Sequence, residues 1–186
     1  MSVLFDATFL LPLFTPSVPG PLDPNTNKPV DFLRERIDAL IDSLDHARTK
    51  VIIPTPALSE LLVRAGAAGP EYLNRLREYR AFKIESFDER AAIEVAFQLQ
   101  NSLEQIGKKG AAEVSGTWAK VKFDHQIVAI AKVNGVSIIY SDDHGVRTFA
   151  ERAKMAVIGL ASLPLPQKAA QMNLPLETSS DKPPKD

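Results

Sequence analysis

Apolar residues along this chain fall into short runs separated by longer stretches of helical period. SVLF (2–5), KVIIP (50–54), GVSIIY (135–140) and MAVIGL (155–160) are each predicted as buried strands. AFKIESF (81–87) alternates apolar and polar positions, as a half-buried or edge strand does. Leu33, Ile37, Leu40, Ile41 and Leu44 recur at helical spacing from Asp31 to about Ala47. Thr55 followed by Pro56 is a good helix start, an N-cap hydroxyl and then Pro at the first helical position, for a helix that carries Leu58, Leu61 and Leu62 and ends near Gly66. A short helix is expected over 70–80. Asp88 can cap a long one with Ala92, Val95, Ala96, Leu99, Leu103 and Ile106 on one face. Further helices are expected from about Trp118 to Asn134 and from 144 to 153.

Alternating strands and helices predict an α/β fold: a three-layer α/β/α arrangement with a mainly parallel central sheet. Residues 15–30 hold five Pro, one Gly and two Asn and read as a loop. GKKGAAEVSG (107–116) reads as a loop or a frayed helix end. The expected division is one domain over 1–163 and a polar, Pro-rich, disordered tail over 164–186.

Composition narrows the chemistry. The 186 residues suffice for one domain with its own core. With no Cys, disulfides and thiolate metal sites are excluded, and three scattered His (His46, His125, His144) do not make a His-rich zinc site. A metal would therefore be held by oxygen ligands, which suits Mg²⁺ or Mn²⁺. The net charge of −1 gives no global basic signature of nucleic-acid binding. The opening apolar run is short, lacks a basic leader and contains Asp6, unlike a signal peptide, and no run has the roughly 20 apolar residues of a membrane helix. A soluble cytoplasmic protein is the expectation.

Five acids stand out. Asp6 ends the first strand, where sites form in open parallel sheets. Glu60 lies early in a largely apolar helix, where the helix dipole alone could account for it. Asp124 shares a helical stripe with Ile127, Val128 and Ala131, so it faces inward or borders a cleft and needs a cation, either a metal or a Lys or Arg. Asp142 and Asp143 follow the strand 135–140, and either could simply cap the next helix.

In order and context these segments resemble the PIN-domain nuclease family. VLFDATFLL looks like its opening strand–Asp motif, and IPTPALSELL like its Glu-bearing helix start. FDHQIVAIAKVNGVSIIYSDD looks like its Asp-bearing helix followed by a strand ending in Thr/Ser-x-Asp. The likeness covers roughly residues 1–160; the 15–30 loop is longer than a minimal member needs, and the tail lies outside the pattern.

The resemblance implies a PIN-like fold and a Mg²⁺- or Mn²⁺-dependent ribonuclease. Its catalytic and metal-binding acids would be Asp6, Glu60, Asp124 and Asp143, with Asp142 as a further candidate ligand. Asp6, Asp124 and Asp143 would be the principal ligands, and Glu60 a ligand or the base that orients water. Thr8 and Ser141 would be supporting hydrogen-bond donors. Lys120, Lys122 and Arg147 are candidates for substrate contacts, although each taken alone reads better as ordinary surface charge. Partners implied by the resemblance are single-stranded RNA, a cognate antitoxin and a second copy of the chain, as in VapC-type toxins. The residues themselves do not separate RNA from DNA. Two rivals stand beside this reading. A haloacid-dehalogenase-type phosphatase also opens with Asp after a strand, but wants an acid where Thr8 stands. A non-catalytic PIN-like binding module typically loses one or more of the acids.

Overall fold

The computed structural model describes residues 1–15, 19–110 and 118–166, with side chains described outside 101–121. Five parallel strands form one sheet: β1 (Ser2–Phe5), β2 (Lys50–Pro54), β3 (Phe82–Glu85), β4 (Ile138–Tyr140) and β5 (Ala156–Ile158), in the order β3-β2-β1-β4-β5. β1 is central, with Val3 beside Val51 on one side and Ile138 on the other. The helices are α1 (Ala7–Phe14), α2 (Leu33–His46), α3 (Thr55–Ala65), α4 (Gly69–Glu78), α5 (Glu89–Gly110), α6 (Trp118–Val133) and α7 (His144–Arg152).

The two-residue period of the strands divides the core in two. Val3, Phe5, Val51, Ile53 and Tyr140 join side chains of α1, α2, α3 and α4. Leu4, Ile52 and Ile139 face the opposite way, into α6, α7 and Ala91 of α5. Both faces of the sheet are thus covered, which is the three-layer α/β/α arrangement, and it explains why these strands are apolar throughout.

The segment after Asp6 turns directly into α1, in which only Thr8 escapes burial. An unbroken apolar run carries no period, so strand and helix cannot be told apart there from sequence. Thr55 is the first residue of α3 and does not cap it; its hydroxyl accepts the Phe87 N–H at 3.2 Å, tying α3 to the segment after β3. Asp88 does cap α5, accepting the Ala91 N–H at 2.9 Å. Within the Pro-rich segment, Leu22 and Pro29 form an isolated antiparallel bridge around a turn held by Asp23. α5 continues to Gly110, so the first residues of the expected 107–116 loop are helical, while 111–116 and the tail from 167 lie outside the described residues. Among the described residues no helix is long and apolar enough to cross a membrane.

Candidate active site

Asp6 follows β1 directly and is almost wholly buried. Its N–H donates to Tyr140 O at 3.1 Å, extending the β1–β4 ladder past the ends of both strands. Two hydroxyls converge on its Oδ2: Ser141 donates at 2.9 Å, and Thr8 at a longer 3.4 Å. Each hydroxyl also accepts a backbone N–H from the chain leaving β4, Ser141 from Asp143 at 3.0 Å and Thr8 from Asp142 at 3.1 Å. The two crossovers are laced together through the Asp6 carboxylate.

Burial pushes the Asp6 pKa up to about 6. The Ala7 N–H and the Ser141 hydroxyl pull it down, while the carboxylates of Glu60 and Asp143 push it further up. Asp6 thus sits in the field of two other acids.

Asp143 is the N-cap of α7, its Oδ1 accepting from Gly145 N at 2.7 Å and Val146 N at 3.3 Å. Asp124, buried on α6, lies against the same helix start: a Cβ on Gly145 would overlap Asp124 Oδ2 and come within 3.1 Å of Asp143 Oδ1. The missing side chain of Gly145 is what lets the two carboxylates approach the positive end of α7 together. Glu60, on α3, is exposed and pairs with Arg64 at 3.2 Å.

Asp6, Glu60, Asp124 and Asp143 all line one cavity of about 490 Å³, together with Arg64, Phe123 and Val63. As the side chains stand, no three potential ligands among the described residues are arranged to close on one ion. Glu60 is turned to Arg64 and Asp143 to the α7 amides. The donor set nonetheless fits a hard divalent cation: the ligands are carboxylate oxygens, and the raised pKa of Asp6 reflects burial and repulsion that a cation would relieve.

Three expected residues stand elsewhere. Asp142 turns away from the cavity, both its oxygens accepting the Leu160 N–H at 3.1 and 3.2 Å. Burial raises its pKa, offset by that N–H and by Arg147. Arg147 faces Asp142 and donates to Val157 O at 3.2 Å, away from the four acids. Lys122 is exposed and does not line the cavity, and the Lys120 side chain lies outside the described residues. His125, beside Asp124 in sequence, is a packing residue, with its ring 3.9 Å from that of Phe149 and its Nδ1 3.2 Å from Gln98 Oε1. Sequence reasoning missed Gly145 and Arg64. A Gly in the first turn of a helix, directly after Asp-Asp-His, was the signal for the first; the four-residue step from Glu60 was the signal for the second.

No family model and no curated protein matches the sequence. Solved structures match its fold. VapBC2 from Rickettsia felis, bound to a DNA fragment from its promoter, superposes with a TM-score of 0.54 at 12% identity, covering 86% of this chain and 98% of that one. VapC20 from Mycobacterium tuberculosis, a sarcin-ricin loop cleaving toxin, gives 0.51 at 12% identity over 81% and 94%. DNA-bound VapBC from Salmonella typhimurium gives 0.50 at 15% identity over 86% and 98%. The likeness to the PIN family read from the motifs thus extends to the fold, a three-layer PIN-like α/β/α arrangement, and at these identities it is the fold that is shared.

Proposed function

We propose that this chain is a divalent-metal-dependent endoribonuclease of the VapC toxin kind, with residues 1–163 as its nuclease domain and 164–186 as a tail. The observation that carries this reading is the convergence on one cavity of acids from four separate places: Asp6 after β1, Glu60 on α3, Asp124 on α6 and Asp143 at the start of α7. A purely structural acid would find a basic partner or a cap. Asp6 is instead buried with two hydroxyls and two further carboxylates in its field.

In this reading Asp6, Asp124 and Asp143 hold Mg²⁺ or Mn²⁺, which supplies positive charge to a phosphodiester oxygen and lowers the pKa of water. Glu60 is a further ligand or the base that orients the attacking water. Ser141 and Thr8 hold the Asp6 carboxylate in place, and Asp143 is fixed by the α7 amides. An unpaired base can stack on exposed Phe123 beside Asp124, and this supports a single-stranded substrate; that it is RNA rests on the family resemblance. An antitoxin partner belongs to the same proposal, supported by the likeness to the VapBC structures; a homodimer and a cytoplasmic location are further parts of it that rest on the family resemblance read from the motifs. The phosphatase alternative lacks its second acid, because Thr8 stands there with its hydroxyl directed to Asp6.

The test is cleavage of RNA and single-stranded DNA with Mn²⁺, with and without EDTA, by wild type and Asp6→Asn. Metal-dependent RNA cleavage that the variant lacks is expected. Equal activity in the two proteins overturns the site, and intact RNA after long incubation with folded wild type favours the non-catalytic module.

A further inference from the structure

We propose that Arg64 takes a substrate phosphate at this site, and that its ion pair with Glu60 is the resting arrangement from which it is recruited; this rests on the nuclease reading above. A phosphodiester brought to four carboxylates meets like charge on several sides. Among the described residues lining the cavity, Arg64 is the one cation. Of the cations expected from sequence, Arg147 is committed to Val157 O and Asp142, Lys122 stands outside the cavity, and the Lys120 side chain lies outside the described residues.

Arg64 lies one turn beyond Glu60 on α3, so the same helix that presents the acid presents the guanidinium. Their pair spans 3.2 Å, with the side chains 61% and 51% exposed. An exposed pair of this spacing contributes little to stability, so exchanging Glu60 for a phosphate is cheap. The guanidinium is planar and always charged, and two of its N–H groups match two phosphate oxygens. Because Arg64 occupies one oxygen of Glu60 at rest, drawing Glu60 toward the other acids and freeing Arg64 for the substrate are the same motion.

Binding, separated from cleavage, tests this. The full chain carrying Asp6→Asn is titrated in Mg²⁺ against a short fluorescein-labelled single-stranded RNA, and anisotropy is read across a series of KCl concentrations. Adding Arg64→Ala is expected to weaken binding about tenfold. It should also reduce the slope of log affinity against log salt by about one. Arg64→Lys keeps the slope and loses part of the affinity; Arg77→Ala, remote on α4, changes neither. Loss of a merely structural helix pair would shift the melting temperature slightly and leave the slope alone. In EDTA, Glu60→Gln is expected to tighten RNA binding, and the gain should vanish in Glu60→Gln/Arg64→Ala. Unchanged affinity and slope in Arg64→Ala overturn the phosphate contact, and a gain that survives without Arg64 overturns the resting pair. If neither the parent nor wild type held in EDTA binds RNA, and wild type in Mn²⁺ leaves RNA intact, the nuclease reading falls and takes this proposal with it.

Discussion

The Ser141 hydroxyl donates to Asp6 Oδ2 at 2.9 Å across 135 residues of sequence, and both residues are buried. The Ser141 Oγ also accepts the Asp143 N–H, so Ser141 couples two of the acids. Ser141→Ala removes one donor to Asp6 and orphans a partly buried amide, at a cost of about 1–3 kcal/mol in stability. On the proposed function it should also weaken divalent-ion affinity about 10–100-fold. Calorimetric titration of Mn²⁺ into a folded variant checks this, and wild-type affinity would remove Ser141 from the site.

Asp6 carries a pH signature. Its pKa is 3.8 as a free carboxyl and about 6 in the metal-free fold, so the folded state binds the proton more tightly. The stability that follows is fully present below about pH 4 and is lost as pH rises through 6. In EDTA at pH 7, Asp6→Asn should therefore be more stable than wild type, by on the order of 3 kcal/mol. Urea melts of both proteins at intervals from pH 4 to 7 measure the difference, and parallel curves would contradict the buried, unneutralised carboxylate. Saturating Mn²⁺ should reverse the order.

Gly145→Ala places a methyl group where Asp124 Oδ2 now lies. In an exposed helix this exchange would add up to about 1 kcal/mol of stability. Here the carboxylate must move, and a displacement of about 1 Å at a reacting centre costs roughly 100-fold in rate. Wild-type circular dichroism combined with near-absent cleavage is expected; full activity would show that Asp124 has no positional demand.

Asp142 and Asp143 should separate cleanly. Asp142→Asn disturbs a contact with Leu160 N and the neighbouring Arg147, so a loss of stability with near-normal cleavage is expected. Asp143→Asn should abolish cleavage. Equal losses of cleavage in the two would undo the distinction drawn from the cavity lining. Asp88→Ala is the structural control: the α5 cap is lost at about 1 kcal/mol, with cleavage unaffected at temperatures well below the melt.

The strands that build the centre of the sheet were legible because each is a short apolar run buried on both faces. α1 was not, because its apolar residues carry no period and the helix is shaped by burial on nearly every side. Among the acids, Asp6 and Asp124 stood out by lying within core residues, and both are buried. Glu60 is exposed; it stands in a largely apolar helix, but the helix dipole alone could account for an acid there, so the family pattern carried its assignment. The choice between Asp142 and Asp143 depends on which way two successive side chains leave β4, and coordinates assign Asp143 to the cavity. For Gly145 the sequence offered only its place in a first helical turn, since its part is an absent atom that matters only once Asp124, on another helix, is brought beside it.

The adjacency of β1 and β4 has a consequence for synthesis. Asp6 is synthesised 135 residues before Ser141, and Asp143 follows Ser141. A nascent or prematurely terminated chain ending before β4 lacks the central sheet pairing and one wall of the acidic cavity. If the protein cuts RNA, the translating ribosome and its message are in contact with an unfinished, harmless polypeptide until β4 and the start of α7 have been added.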